Sequence, residues 1–275
     1  MKISALAGGV GGAKLLVGLQ RALAGTGDRL SAIVNTGDDA EIYNVHVSPD
    51  VDICTYWLAG IADTDRGWGI KDDTFEVLEG LRSLGVDTWF SLGDRDFATC
   101  LLRTQALSAG RKLTVVTDEI RRALGVRTRI LPMSDDRVRT QIVTSDHRTL
   151  DFQTYFVKER TRPEVAEIMF AGMAEAVPGP GVLAALREAD RVVLCPSNPI
   201  VSIGPILGLP GVREALRTHR RVLAVTPIVR GAALKGPADR MLRSLGSDSS
   251  ASGVARLYSD FADLFVVDRA DEQEV

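Results

Sequence analysis

The feature that most constrains the fold of this chain is a glycine-rich loop that begins at residue 8. The loop follows a β-type run at residues 2–7 and precedes an apolar segment with helical periodicity. Its glycines are Gly8, Gly9, Gly11 and Gly12. Glycines let the backbone approach a phosphate, and the free N–H groups at a helix amino terminus attract the anion. The loop therefore predicts a strand–turn–helix unit that binds a phosphorylated ligand; the alternative is a tight turn without a ligand.

The spacing within this loop departs from two common phosphate-binding motifs. Gly9 and Gly11 keep the first spacing of a dinucleotide fingerprint, but Lys14 stands where the third glycine would be. The loop also lacks the Gly-Lys-Ser/Thr ending of a P-loop. The sequence thus indicates a phosphate site without identifying the ligand.

Composition and charge exclude several classes of protein. With 33 basic and 36 acidic residues, the 275-residue chain has a net charge of −3, which argues against broad nucleic-acid binding. The three cysteines and three histidines lack the spacing of a zinc site or a disulfide framework, so we expect a protein of the reducing cytoplasm. No apolar run approaches the ~18 residues that a membrane span needs, and we expect no membrane association.

Strands and helices alternate at both ends of the chain, which predicts an α/β fold. The clearest predicted strands are residues 30–34, 192–195, 222–226 and 264–267. We expect one domain over residues 1–275, with a mostly parallel sheet and helices on both of its faces. The middle of the chain differs, since its predicted strands are the short runs 127–131, 139–144 and 149–157. Residues 125–175 are therefore expected to form a small inserted or flanking α+β lobe.

A first acidic segment, Asn-Thr-Gly-Asp-Asp at residues 35–39, lies where the second predicted strand ends. Ligands of open α/β sheets bind beyond the carboxyl ends of the strands. Asp38 and Asp39 could there hold Mg²⁺ or orient a ribose. A simple turn is the equally open alternative, because Asn, Gly and Asp are also common turn residues.

A second acidic pair stands at the start of the helix predicted over residues 51–61. Asp50 suits a helix cap, because a carboxylate there offsets the helix dipole. Asp52 lies inside an otherwise apolar segment, where capping does not explain it. Hard oxygen ligands from two loops would suit Mg²⁺, which takes carboxylate and phosphate oxygens.

A third polar segment, residues 92–99, leads into the helix predicted over residues 98–109. Asp96 is the expected cap of that helix, and the planar guanidinium of Arg95 could reach a phosphate or a carboxylate. The alternative is a surface Arg–Asp cluster that contributes little to stability.

The loop that follows the strand at residues 192–195 is rigid and polar. Three prolines and a glycine restrict residues 195–205, whose hydrogen-bonding side chains include Ser197, Asn198 and Ser202. An amide such as that of Asn198 both donates and accepts hydrogen bonds, as the reading of a nucleobase requires. A rigid connector without a ligand is the alternative.

Together these segments resemble one family, the 2-phospho-L-lactate transferases of coenzyme F-420 biosynthesis, whose actinobacterial members use phosphoenolpyruvate-derived donors. The resemblance extends over essentially the whole chain. Further segments that carry it are Arg66-Gly67-Trp68-Gly69-Ile70, Asp73-Thr74-Phe75, residues 131–136, Phe152-Gln153 and Thr226-Pro227-Ile228. Several ordered motifs over this length are more specific than any one of them.

The resemblance implies a Rossmann-like, homodimeric, Mg²⁺-dependent transferase. Its reaction would move phospholactate or phosphoenolpyruvate from a guanosine diphosphate-linked donor to a hydroxyl of the deazaflavin Fo. GMP would leave, and the product would be F-420-0 or its dehydro form. The family commonly continues for some tens of residues beyond the position of Val275, so this chain is expected to be a fragment or a short member.

The resemblance also implies roles on the donor side of the site. The donor-binding residues would be the glycine loop, Lys14, Asp50, Ser197, Asn198 and Ser202. Asp38 and Asp52 would be catalytic and would hold Mg²⁺, with Asp39 and Asp50 as nearby support.

On the acceptor side, Asp52 and Ser91 match positions associated with contact to Fo. Arg95 would act as a catalytic residue that steadies the carboxylated phosphoester. Trp57 or Trp68 would flank the deazaflavin ring, although core packing explains either tryptophan equally well.

Two other functions stay open at this point. A nucleotide-sugar-binding regulatory protein of the gluconeogenesis-factor type would share the fold without the transferase chemistry. Residues 48–52 and 66–70 favour the Fo-using branch over it. The start of the glycine loop alone suggests a nicotinamide oxidoreductase.

Overall fold

Strands and helices alternate along the chain in this computed structural model, which describes residues 1–274. The elements up to residue 132 are β1 (Lys2–Ala7), α1 (Gly9–Ala22), β2 (Arg29–Val34), β3 (Ala40–Ile42), β4 (Val45–Val47), α2 (Pro49–Ala59), α3 (Glu76–Ser83), α4 (Asp94–Ser108), α5 (Leu113–Ala123) and β5 (Arg129–Pro132). Those that follow are β6 (Arg139–Thr144), β7 (Thr149–Asp151), a π-helix (Thr154–Lys158), β8 (Val165–Ala171), α6 (Val182–Glu188), β9 (Arg191–Leu194), α7 (Ile203–Gly208), α8 (Val212–Thr218), β10 (Val222–Val225), β11 (Ile228–Val229), β12 (Ala232–Ala233), α9 (Ala238–Ser244), α10 (Ala251–Tyr258), β13 (Leu264–Val266) and a 3-10 helix (Arg269–Glu274).

Six parallel strands form the central sheet, in the order β13-β10-β9-β1-β2-β5. Renumbered among themselves, these strands follow the 3-2-1-4-5-6 order of the Rossmann fold. The predicted α/β fold with a mostly parallel sheet is therefore confirmed. The chain leaves β1 toward β2 on one side and reaches β9 on the other, so a crevice opens at the carboxyl ends of β1 and β9.

Alternating side chains of the strands build one core on each face of the sheet. On β1, Leu6 packs with the helices α6, α7, α8 and α10, whereas Ala5 and Ala7 pack with α1 and α2. The same alternation on β9 sends Leu194 to the first core and Val193 to the second. Successive side chains of a strand point to opposite faces, which explains why both faces are covered by helices.

The antiparallel part of the molecule is smaller than the predicted lobe. Residues 129–132, which fall within that lobe, pair in parallel with β2 and form the edge of the central sheet. The separate sheet has the order β7-β6-β8 and begins at Arg139. The strand predicted over residues 149–157 ends at Asp151, and a π-helical turn follows it.

A hairpin formed by β3 and β4 was not expected from the sequence. Tyr43 and Asn44 make its turn with φ angles of 51° and 60°, the left-handed region that Asn tolerates better than most residues. The hairpin carries His46 toward the carboxyl end of β2. Over residues 1–274, no helix combines the length and the apolar character needed to cross a membrane.

Candidate functional site

A cavity of about 910 Å³ opens at the carboxyl edge of the central sheet, in the crevice between β1 and β9. Its lining comes from the glycine loop, the segments around Asp38 and Asp50, the loop after β9 and the loop before α9. The segment after β7, including the π-helix, closes one wall with Phe152 and Phe156, whose rings stack 5.5 Å apart. The location is where open α/β sheets bind their ligands.

The glycines of the first loop are required by the protein's own packing. A Cβ atom at Gly8 would overlap the carboxylate of Asp50, and one at Gly11 would overlap the carbonyl oxygen of Pro196. Gly9 has a φ angle of 63°, a conformation that side chains disfavour. The loop therefore approaches two other segments closely, which is a second reason for its glycines besides the approach of a phosphate.

Two of the four free N–H groups at the start of α1 are already used. The N–H of Gly8 donates to Ser197 Oγ at 3.0 Å, and that of Gly9 donates to Asp50 Oδ1 at 2.8 Å. Within the described chain, the N–H groups of Val10 and Gly11 remain without a partner, since the first turn of a helix supplies none. They are the positions at which α1 can bind an anion.

Asp50 does not cap its own helix, so the capping role expected for it is wrong. The amino-terminal cap of α2 is Ser48, and Asp50 lies inside the first turn. Its carboxylate accepts hydrogen bonds from Gly9 of α1 and from Asn35 Nδ2, the latter at 3.0 Å. Burial raises the pKa of Asp50 to about 6, although these hydrogen bonds lower it. Asp50 therefore joins the glycine loop to the end of β2.

Asp38 and Asp39 are buried at the carboxyl end of β2 and keep unpaired oxygen atoms. Oδ1 of each carboxylate has no hydrogen-bond partner among residues 1–274. Oδ2 of Asp39 accepts a hydrogen bond from Ser48 Oγ at 2.8 Å and lies 2.9 Å from His46 Nε2. Burial, and then the nearby carboxylate of Asp50, raise the pKa of Asp38 well above its usual range. Unpaired buried carboxylate oxygens are suited to bind a cation.

Asp52 lies in the same wall but is paired with a buried arginine. Arg103, on α4, is 1% exposed, and both terminal nitrogens of its guanidinium donate to the Asp52 carboxylate. Its Nη1 also donates to the carbonyl of His46 at 3.1 Å. This ion pair fixes the β3–β4 hairpin against α2 and α4, and it uses the oxygens with which Asp52 was expected to hold a metal.

Asp96 is a buried wall residue, so its predicted role as a helix cap is wrong. Helix α4 begins at Asp94, four residues before the predicted start, and its cap residue is Gly93. Oδ1 of Asp96 accepts a hydrogen bond from the hydroxyl of Tyr56 at 2.8 Å. Burial, and then the charge of Asp52, raise the pKa of Asp96 to about 7.

The loop after β9 is attached to the glycine loop. Ser197 Oγ donates to the carbonyl of Gly8 at 2.7 Å while it accepts from the N–H of the same residue. Asn198 Oδ1 accepts the N–H of Ile200 at 2.9 Å, so its amide oxygen closes a turn. Ser202 is buried next to Asp50 and lowers the pKa of that carboxyl. The three polar side chains predicted for this loop all line the cavity.

Ser91 and Arg95, both predicted for the acceptor side, do not line the same cavity. Ser91 is exposed and lines the cavity, but Arg95 is not among the lining residues. The guanidinium of Arg95 donates to the carbonyl of Lys71 at 3.3 Å. Of the two tryptophans, Trp68 lines the cavity and is 38% exposed, whereas Trp57 packs against the core around α1 and α2.

Three cationic side chains line the cavity, and sequence reasoning found only Lys14. The guanidinium of Arg66 lies 4.9 Å from the ring centroid of Trp68, and Arg66 pairs with Asp63 at 2.7 Å. Lys235 reaches the cavity from the loop before α9. The segment around Arg66 carries part of the family resemblance, but no function was predicted for Arg66 from the sequence. The buried Arg103 could have been suspected from its place among the buried residues Cys100 and Ala106 of α4.

Comparisons with known proteins agree with the resemblance found in the sequence. A family model described as 2-phospho-L-lactate transferase CofD matches residues 3–275. The phosphoenolpyruvate transferase of Kitasatospora aureofaciens is 43% identical over 281 residues, covering 100% of this chain and 87% of that protein. The phosphoenolpyruvate transferase of Streptomyces griseus is 44% identical over 277 residues, and this match covers 98% of this chain and 86% of that protein.

A solved structure is similar to this chain in its fold. The protein is a member of the upf0052 family from Bacillus halodurans, with a TM-score of 0.63 and 17% sequence identity. The similarity covers 97% of this chain and 79% of that protein. At this level of identity the comparison concerns the α/β architecture alone.

Proposed function

The chain belongs to the 2-phospho-L-lactate transferase family, and we propose that it is a transferase of coenzyme F-420 biosynthesis. It moves phospholactate or phosphoenolpyruvate from a guanosine diphosphate-linked donor to a hydroxyl of the deazaflavin Fo, and GMP leaves. Relatives described as phosphoenolpyruvate transferases favour the phosphoenolpyruvate donor. The homodimer expected from the resemblance remains a prediction.

The observation that carries this proposal is the meeting of two kinds of unpaired group in one cavity. The N–H groups of Val10 and Gly11 at the start of α1 suit phosphate oxygens. Asp38 lines the same cavity, and its unpaired Oδ1, like that of the next residue Asp39, can accept a hydrogen bond or bind a cation when the carboxyl is ionised. The phosphates of a bound donor substrate would accept from the N–H groups, and a cation would bind the carboxylate oxygens.

The residues present fit the expected Mg²⁺. The buried Oδ1 atoms of Asp38 and Asp39 are unpaired, and hard carboxylate oxygens are the ligands that Mg²⁺ prefers. We therefore assign the metal to Asp38 with Asp39, and assign to Asp52 the positioning of the hairpin through Arg103. When bound, the metal would neutralise charge on the phosphates of the donor.

The chain's own side chains then bind and orient the two substrates. In the transfer, the acceptor hydroxyl oxygen forms a bond to the β-phosphorus, the bond from that phosphorus to the bridging oxygen breaks so that GMP leaves with this oxygen, and the hydroxyl proton passes to a carboxylate of the cavity wall and from there to water. Phosphoryl transfer of this kind depends mainly on positioning and charge neutralisation. Lys14 and the start of α1 support the diphosphate, while Phe152 and Trp68 provide flat apolar surfaces for the acceptor ring.

The test is a direct assay with the purified chain, Fo, Mg²⁺ and each guanosine-linked donor. We expect GMP and a product that is heavier than Fo by the phosphoester, detected by mass spectrometry. Replacement of Asp38 by Asn should abolish product while the circular dichroism spectrum stays the same. Absence of product with both donors, or tighter binding of a UDP-sugar than of GDP, would refute the transferase assignment and favour a regulatory protein.

A further inference from the structure

Two loops that are distant in sequence meet over the glycine loop. Nζ of Lys235, from the segment before α9, donates to the carbonyl of Arg66 at 3.3 Å. The next residue, Gly67, lies against Val10 of the glycine loop, since a Cβ there would be 3.5 Å from both methyl carbons of Val10. The ammonium group of Lys235 therefore lies on the same side of Gly67 as the side chain of Val10, in the first turn of α1.

The backbone at Gly67 is arranged so that Lys235 can lie there. Gly67 has a φ angle of 88°, and a Cβ at this position would lie 2.5 Å from Nζ of Lys235. No Cβ can stay that close, so any other residue at position 67 would displace the lysine. The carbonyl of Gly67 also accepts a hydrogen bond from Trp57 Nε1 at 3.4 Å. The segment is thus also held by α2, which carries Trp57.

Lys14 approaches the same segment from the other side. Its Nζ lies 5.6 Å from the ring centroid of Trp57, the residue that contacts Gly67. Over residues 1–274, neither Lys14 nor Lys235 has a carboxylate within 4.0 Å, although Lys2 and Lys158 each do. Lys14 and Lys235, two lysines without a carboxylate partner among residues 1–274, therefore line the same cavity as Val10 and Gly11.

This arrangement exceeds what a single phosphate needs. Two backbone N–H groups and one lysine suffice for one phosphoryl group at a helix start. A nucleoside diphosphate carries a second phosphoryl group with its own charge, which requires a further donor. Lys235 is the unpaired cation that the structure offers for it.

We propose that Lys235, positioned by Arg66 and Gly67, binds the second phosphoryl group of a nucleoside diphosphate held at the glycine loop. The proposal rests on the proposed function for the class of ligand, but it concerns the phosphates rather than the base. Lys235 would thereby favour a diphosphate donor over the monophosphate product. A site with this preference retains the substrate and releases GMP after transfer.

The experiment measures binding of GDP and GMP to the full chain by titration calorimetry. We expect Lys235→Met to weaken GDP by about tenfold to a hundredfold, because charge-assisted hydrogen bonds are lost, and to weaken GMP by less than about threefold. Lys235→Arg should restore most of the affinity for GDP. Lys112→Met removes an exposed lysine outside the cavity and serves as the matched control, with no change for either nucleotide.

The retained affinity for GMP shows that the variant is folded. Gly67→Ala, which displaces Lys235, should reproduce a part of the loss for GDP alone. Unchanged affinity of Lys235→Met for GDP, or an equal loss for GDP and GMP, would overturn the proposal. The wild type could instead bind the uridine nucleotides and prefer UDP over UMP in a way that depends on Lys235. That result would support the role of Lys235 and refute the guanosine-linked donor of the proposed function. A wild type that binds none of these nucleotides overturns both.

Discussion

Two cavities of about 910 Å³ each lie at opposite edges of the central sheet, and their chemistry differs. The groove at the amino edge is lined by exposed charged residues and by polar groups that already have partners. Ser4 Oγ there donates to the carbonyl of Ala185 at 2.8 Å, and Thr128 Oγ1 donates to Gln20 Oε1 at 2.9 Å. The cavity at the carboxyl edge is instead lined by Asp38, whose buried Oδ1 has no hydrogen-bond partner among residues 1–274, and the next residue, Asp39, has a second such oxygen behind the wall.

The difference shows that volume alone does not identify a site. A buried polar atom without a partner lowers stability, so a protein retains one where it serves another purpose. The buried hydroxyls of Ser4 and Thr128 at the amino edge have partners within the protein, whereas the carboxyl edge leaves buried acceptors for a ligand. Substitutions at matched positions of the two edges should therefore differ in their consequences.

The largest effect is expected for the aspartates of the two edges. Asp38→Asn should lower kcat by at least about a hundredfold, because the carboxylate proposed to hold Mg²⁺ is lost. The same variant should raise the melting temperature at neutral pH, because the raised pKa of Asp38 means that its ionised form destabilises the fold. Asp28→Asn, in the groove, should leave kcat unchanged. Steady-state kinetics and thermal denaturation check both variants; equal kcat for the two would remove the distinction between the edges.

The next largest effect is on the free energy of unfolding, and it compares a buried arginine with an exposed one. Arg103→Met leaves the Asp52 carboxylate buried without its partner and should lower the free energy of unfolding by about 3–5 kcal/mol. Arg129→Met, at the amino edge, removes an exposed side chain and should change it by less than about 0.5 kcal/mol. Urea denaturation measures both. A loss below about 1 kcal/mol for Arg103→Met would mean that the hairpin does not depend on this pair.

The sequence predicted the fold better than it predicted the walls of the site. Buried parallel strands such as residues 192–195 are continuous apolar runs between turn residues, so the central sheet could be recognised. The strand at residues 129–132 was assigned to the lobe because its partner, β2, lies far away in the chain. The three-residue strands of the β3–β4 hairpin are too short for a periodic pattern to appear.

The site residues divide in the same way. Gly8 and Asp38 could be selected because they directly follow predicted strands, where ligands of α/β sheets bind. Arg103 is 51 residues from its partner Asp52, and Lys235 is 169 residues from Arg66. Such pairs follow from tertiary packing, which no local pattern records. Arg95 lies next to a true wall residue, Asp96, but its position on the helix directs it elsewhere.

A smaller effect is expected from glycines at the two ends of α1, which runs from the cavity toward the amino edge. Gly11→Ala should lower the free energy of unfolding by about 1–3 kcal/mol, since its Cβ would overlap the carbonyl of Pro196. Gly18→Ala has open space around the new methyl group and should raise stability by about 0.5–1 kcal/mol. Urea denaturation of the two variants compares them directly; a stabilised Gly11→Ala would show that the loop yields easily.

The last effect is a dependence of stability on pH that arises in the cavity, and near neutral pH it is modest. The folded-state pKa of Asp96 is about 7 against an ordinary 3.8, so the folded chain binds this proton more tightly than the unfolded chain. Its contribution to stability is therefore greatest below the unfolded pKa and is lost as pH rises from about 4 to about 7. Between about pH 6 and about pH 7.5 the loss amounts to about 1 kcal/mol by linkage.

Asp96→Asn keeps an acceptor for the hydroxyl of Tyr56 and should remove that part of the slope, as unfolding by urea at several pH values will show. Asp28, at the amino edge, is the opposite case, because a hydrogen bond from the amino terminus lowers its pKa. Its contribution is present at neutral pH and is lost as the pH falls through that lowered pKa. Asp28→Asn should therefore lower stability slightly at neutral pH and leave it unchanged in acid, where the wild type has lost the same contribution. An identical pH profile for the two variants would mean that burial of Asp96 does not distinguish the cavity from the groove.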